Sequence, residues 1–204
     1  MKRHFILSYA GLLFLAGVLS SAAVGAQQLI GKIDTTVKTG KVGYRVVCKN
    51  KSYIDNELII RPIGFDNQAR DLDFMIRGRV GKSEILDLNS DGYPDLVLYI
   101  YNDSNAVYGT IYAFLSEANK SIVACMLPDL MLNGKVNTGY KGHDQFALIG
   151  NYLQQKFPIY KTDDGKSGAS QDTPTGDTRV LLYQLSGNAE NGYKFNLVRF
   201  YETH

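Results

Sequence analysis

Apolar side chains recur along this chain in short bursts set between Gly-, Asn- and Asp-rich punctuation. That rhythm predicts strands and turns. Tyr44–Cys48 and Glu57–Arg61 read as strands. Leu72–Arg77 alternates strictly, with Leu72, Phe74 and Ile76 on one face. Glu84–Leu86 and Leu96–Tyr101 are two more strands around an Asp/Gly-rich turn. Tyr108–Leu115 and Ser121–Met126 are placed to pair across the polar tip Ser116–Lys120. Phe146–Ile149 and Tyr152–Lys156 flank Gly150-Asn151, a hairpin turn. Arg179–Leu185 and Tyr193–Tyr201 flank a loop ending in Asn191-Gly192 and predict a terminal hairpin. Clean helical periodicity is missing after the leader. The expected fold is therefore all-β, an antiparallel β-sandwich or flattened barrel. Thr162–Thr178, crowded with Gly, Asp, Ser and Thr, predicts a long loop.

The N-terminus carries a different signal. Lys2 and Arg3 precede the apolar stretch Phe5–Val18, and small residues lead to Ala26 and the polar pair Gln27-Gln28. That order is the architecture of a cleaved secretory signal peptide over residues 1–26, with an uncleaved anchor as the alternative. The apolar stretch is short of the roughly 20 residues a membrane span needs. Residues 27–204 then form a single β domain, exported to the periplasm or beyond it. Lys2 and Arg3 account for the formal net charge of +2, so their removal leaves the two signs balanced. A balanced chain carries no electrostatic footprint for nucleic acid or an anionic membrane surface. Cys48 and Cys125 are the two cysteines. In an oxidising compartment they predict one disulfide, the alternative being two buried thiols.

Asp87-Leu88-Asn89-Ser90-Asp91-Gly92-Tyr93-Pro94-Asp95 is the sharpest local motif. Asp87, Asn89, Asp91 and Asp95 offer side-chain oxygens at alternating positions, and Tyr93 offers its carbonyl. That spacing wraps a hard cation such as Ca2+, with Gly92 allowing the sharp turn. Leu98 stands where an EF-hand needs its bidentate Glu, and the flanks are strands. A metal-free turn using Asn, Asp and Gly explains the same residues. Catalytic signals are sparse. His143 precedes Asp144, yet adjacency in sequence does not bring a carboxylate to an imidazole, and a turn-stabilising His accounts for the pair. Zinc-ligand clusters and phosphate-binding glycine loops are missing from the sequence. The chain reads as a binding protein rather than an enzyme.

Three stretches together resemble the family of periplasmic inhibitors of invertebrate-type (I-type) lysozyme, known as PliI. The first is Ile76-Arg77-Gly78-Arg79-Val80 running into the Asp87–Asp95 turn and Leu96–Tyr101. The second is Tyr108-Gly109-Thr110-Ile111-Tyr112-Ala113-Phe114. The third is Gly139-Tyr140-Lys141-Gly142-His143-Asp144-Gln145-Phe146, continuing through Phe157–Lys161 to Pro174–Arg179. The resemblance covers residues 40 to 190 or so and implies a β-sandwich-like inhibitor that pushes a loop into a lysozyme's catalytic cleft. In that family a Ser-Gly-x-Tyr element supplies the loop. With its tyrosine matched to Tyr108, Asn105 stands at the serine position and Ala106 at the glycine position, so this sequence departs from the motif.

The loop can also be read physically. A lysozyme cleft holds one protonated and one ionised carboxyl group. Ser104 or Asn105 would supply short donors to them, and Tyr108 a flat amphipathic surface at low entropic cost. Lys120 would add a charge-assisted contact. The alternative for Tyr108 is an ordinary strand aromatic. Two expectations follow: an inhibitor whose partner is an I-type lysozyme, or a calcium-stabilised envelope module that binds a glycan without inhibiting. Exposed sheet edges leave a homodimer open.

Overall fold

The computed structural model describes residues 31–66, 69–102, 107–161 and 173–204. The expected signal peptide lies outside the described residues, as do Ser104, Asn105, Ala106 and positions 162–172. The chain is all-β and antiparallel, as its pattern predicts. Among the described residues the strands are β1 (Ile33–Thr39), β2 (Val42–Cys48), β3 (Asp55–Ile63), β4 (Leu72–Arg77), β5 (Arg79–Leu86), β6 (Asp95–Tyr101), β7 (Gly109–Glu117), β8 (Ser121–Met126), β9 (Gln145–Ile149), β10 (Tyr152–Tyr160), β11 (Pro174–Asn188) and β12 (Gly192–Thr203). Each run of four forms its own up-and-down sheet, ordered β1-β2-β3-β4, β5-β6-β7-β8 and β12-β11-β10-β9.

The apolar run of β6 explains why there are three layers. A strand with one wet face alternates, whereas a strand buried on both faces reads as nearly continuous apolar sequence. Leu96, Leu98 and Ile100 pack with Tyr44, Val46, Leu58, Ile60 and Ile76 of the first sheet. Val97 and Tyr99 point the other way and pack with Leu153, Phe157, Leu181 and Tyr183 of the third. On β7, Phe114 joins the first core while Ile111, Ala113 and Leu115 join the second. The β5–β8 sheet is thus the middle of a three-sheet stack. The expected sandwich of stacked antiparallel sheets is present with a third layer added, and the flattened barrel is not, because no sheet among the described residues closes on itself. Among the described residues no helix is long and apolar enough to cross a membrane.

Two local expectations also change. β1 escapes the sequence pattern because Asp34, Thr36 and Lys38 alternate with only half-buried Ile33, Thr35 and Val37. The expected loop ends early. Pro174 opens β11, and the strand runs on through Thr178. Proline is tolerated there because the first residue of a strand need not donate a ladder hydrogen bond.

The expected disulfide is not present: Cys48 and Cys125 are both free and buried. Cys48 lies in the core between the first and middle sheets, and Cys125 in the core on the middle sheet's opposite face. The middle sheet therefore stands between the two sulfurs, and the bridge would need backbone movement. Cys48 Sγ–H instead meets Asn50 Oδ1 at 3.0 Å. Burial pushes the Cys125 thiol up to about 11, which leaves little reactive thiolate at neutral pH. Purified protein should melt at the same temperature with and without reductant, and should release both thiols to an alkylating probe only after unfolding. A reductant-dependent drop in melting temperature would restore the bridge.

Candidate functional site

The second and third of the motif stretches meet around one buried carboxylate. Asp144 is 7% exposed and sits just before β9. Its Oδ2 accepts from the Gly109 backbone N–H at 2.9 Å and from Tyr140 Oη–H at 2.5 Å. Its Oδ1 accepts from Gln155 Nε2 at 2.7 Å, and Gln155 Oε1 in turn accepts from Tyr183 Oη–H at 3.2 Å. Burial raises the Asp144 pKa against these hydrogen bonds, which favour the ionised form. Close approach depends on Gly109, whose hypothetical Cβ would lie 3.0 Å from the Phe146 ring and 3.3 Å from Asp144 Cβ.

This network fixes the C-terminal base of the 102–108 segment. The Asn102 N–H donates to the Tyr108 carbonyl at 3.2 Å, and the His143 N–H donates to the Val107 carbonyl at 2.6 Å. Gly142 makes the second contact possible. Its φ is +83°, and a Cβ there would stand 2.8 Å from the Val107 carbonyl oxygen. Tyr108 remains 38% exposed, edge-on to Tyr140 at 5.7 Å between centroids. Tyr140 is itself held edge-on by Phe157 at 4.6 Å. Tyr108 is therefore a half-exposed aromatic on a rigid base, rather than a core aromatic. A cleft of about 260 Å3 opens beside it, lined by Arg77, Asn102, Met126, Asp129, Met131 and Tyr140 among others.

Of the residues singled out from sequence, Lys120 is the one the fold moves away. It sits on the β7–β8 turn, where its N–H donates to the Glu117 carbonyl. Tyr108 adjoins Gly109 at the other end of β7. The eight steps from Gly109 to Glu117, at ~3.4 Å each, put the two ends of β7 about 27 Å apart. Lys120 cannot share a loop tip with Tyr108. It lies at the end of the sheet that carries the acidic turn.

In that turn the carboxylates close on the backbone. Asp87 accepts from the N–H groups of Asp91 and Gly92, each at 3.0 Å, and Asp91 Oδ1 accepts from Tyr93 N–H at 2.8 Å. Asn89 Nδ2 donates to Asp91 Oδ2 at 2.8 Å. Ser90 takes φ +60° and Gly92 φ +83°, the left-handed conformations such turns need. Asp95 is fully buried, and its two oxygens are taken by the Leu88 N–H of the turn and the Ser116 N–H of β7, each at 2.8 Å. Among the described residues no group of three or more His, Cys, Asp or Glu is arranged to hold a metal ion.

His143 and Asp144 do not form an acid–base pair. The imidazole stacks on Tyr160 at 6.1 Å and 26°, while both Asp144 oxygens are engaged elsewhere. Sequence reasoning missed Tyr140, Gln155 and Asp129 as parts of this site. The glycines at 139 and 142, both with positive φ, were the available sign that the chain bends back here. No protein-family model and no curated protein matches the chain.

Proposed function

We propose that this protein is an exported inhibitor, periplasmic or secreted, that binds an invertebrate-type lysozyme and blocks its catalytic cleft. One observation carries the reading. Tyr108, adjacent in sequence to Ser104, Asn105 and Ala106, is a half-exposed aromatic locked onto a buried carboxylate network at the rim of a cleft. A rigid base lowers the entropy lost on inserting a loop into a partner. A half-exposed tyrosine, apolar in its ring and polar at its tip, is the side-chain type that anchors interfaces. Met126 and Met131, both largely exposed, flank the same cleft and give its rim an adaptable apolar surface.

The test is a cell-wall lysis assay in which residues 27–204 are titrated against invertebrate-, chicken- and goose-type lysozymes. Selective, near-stoichiometric inhibition of the invertebrate-type enzyme is the expected result, and activity of all three enzymes at excess protein sinks the proposal. Tyr108→Ala should weaken the complex by about 2 kcal/mol, or roughly thirtyfold in Kd. An unchanged Kd takes Tyr108 out of the interface.

The alternative, a calcium-stabilised envelope module, rests on the oxygen-rich spacing of Asp87, Asn89, Asp91 and Asp95. It requires wild-type protein to melt higher in calcium than in chelator, and Asp91→Ala to abolish that difference.

A further inference from the structure

At the opposite end of the middle sheet from Tyr108 lies a second concavity, of about 230 Å3, with a different chemistry. It forms where three elements meet: the Asp87–Asp95 turn, the β9–β10 turn and the β11–β12 hairpin. Its polar lining is Asn89, Ser90, Asn151, Gln184, Ser186 and Tyr193. Three carboxamides, two hydroxyls and one tyrosine make it rich in hydrogen-bonding groups, and no lining side chain carries a charge. We infer that this groove is a binding subsite for a neutral saccharide.

The chemistry selects the ligand class. Asn151 and Gln184 each present an exposed donor and acceptor side by side, the pattern that two neighbouring sugar hydroxyls complete, while the Asn89 amide is engaged with Asp91 in the turn. A tyrosine offers an apolar ring to the C–H face of a sugar. Tyr193 is pre-positioned for that role, because its hydroxyl donates to Glu117 Oε1 at 2.8 Å and so fixes the ring. Ser186 Oγ accepts from Asn196 Nδ2 at 2.6 Å, which leaves the Ser186 hydroxyl proton to be donated. Asn151, Gln184 and Ser186 are exposed, so their polar groups are open to an incoming ligand. The Leu88 backbone at the groove's inner wall is held by Asp95, so the wall is preformed.

The lining itself is uncharged, while acids and bases both stand around it: Asp87, Asp91 and Glu117 flank it from the turn and from the end of β7, and Lys194 pairs with Ser186 across the β11–β12 ladder, so no single charge sign selects an ionic ligand. The volume falls below the roughly 300–1,000 Å3 of pockets for drug-sized molecules, which limits the subsite to about one ring of a longer chain. This subsite is independent of lysozyme inhibition.

The test is a 15N-resolved NMR titration of residues 27–204 with tetramers of N-acetylglucosamine, of β-1,4-linked glucose and of α-1,4-linked glucose. At least one should give saturable shifts centred on Asn89, Asn151, Gln184 and Ser186. Gln184→Ala and Asn151→Ala, both at exposed positions, should each weaken binding at least fivefold while leaving the melting temperature unchanged. The inference is overturned if none of the neutral tetramers saturates, if the shifts map elsewhere, or if both variants bind as wild type does.

Discussion

Asp144→Ala should destabilise this protein by about 3–5 kcal/mol and weaken the proposed complex with lysozyme. The estimate follows from what the carboxylate holds. Gly109 N–H, Tyr140 Oη–H and Gln155 Nε2 all donate to it from buried or half-buried positions. A hydrogen bond to an ionised acceptor contributes about 1.5–3 kcal/mol, and each buried donor left unpaired carries a penalty of about 1–3 kcal/mol. Some of the total is recovered by relaxation and entering water, which sets the lower figure. Affinity falls as well, because the same carboxylate fixes the residue next to Tyr108 and, through Tyr140, the ring beneath it. Asp144→Asn separates the two effects. It keeps the volume and one acceptor, but turns an amide N–H2 toward another donor, so it should lose about half as much stability. The pH dependence has a definite sign. Burial raises the folded-state pKa, so the native protein holds this proton at higher pH than the unfolded chain does. Asp144 therefore makes stability fall as pH rises from the ordinary Asp value through the raised one. Asp144→Asn should flatten that slope, as urea denaturation between pH 4 and pH 8 would read it. A loss below about 1 kcal/mol for Asp144→Ala would mean that the network does not hold the loop base.

How much of this was legible beforehand differs by level. Strand positions were legible wherever one strand supplied its own contrast. β4 has the bounds its alternation predicts, β8 has those expected of a strand beyond the polar tip, and the β7–β8, β9–β10 and β11–β12 hairpins pair across the expected turns. The stacking of three sheets was not legible from any single segment. Its trace was the unbroken apolar run of β6, which a sandwich with one wet face does not need. The cysteines misled because compartment and even count say nothing about which side of a sheet each thiol faces. Lys120 reads from sequence as part of the following strand tip, and what the sequence does not show is that this tip stands at the opposite end of β7 from Tyr108. The candidate site was legible in part. Tyr108 and Asp144 stood in quoted motifs, but their meeting depends on pairings far apart in the chain, such as Gly109 with Asp144 and Asp144 with Gln155.

Asp95 is the second residue on which a large effect is concentrated, and its case joins the acidic turn to the core. It is fully buried at the start of β6. Its Oδ2 accepts from Leu88 N–H at 2.8 Å, and its Oδ1 from Ser116 N–H at 2.8 Å. One carboxylate thereby ties the turn to the far end of β7. Two effects compete at its proton. The two N–H donors favour the ionised form, but desolvation is larger, and Asp91 and Asp87 add repulsion, so its pKa is raised from 3.8 to about 6. The native state thus binds this proton more tightly than the unfolded chain. Stability from this group is greatest below about pH 4 and falls as pH rises through 6, by at most about 3 kcal/mol at ~1.4 kcal/mol per pH unit. Other carboxylates push the opposite way. Asp34, which Arg45 holds below the ordinary carboxylate range, contributes most at neutral pH. The measurement is therefore a difference. The stability of wild type relative to Asp95→Asn should grow as pH drops from 7 to 4, and the Asp95 carboxyl carbon should titrate near 6 by NMR. Asp95→Ala strands both N–H groups in the core and should cost about 2–4 kcal/mol at any pH. A carboxyl midpoint at or below 4, with no pH-dependent gap between wild type and Asp95→Asn, would show that the backbone donors outweigh burial. The turn would then be held by a charged anchor at all physiological pH values.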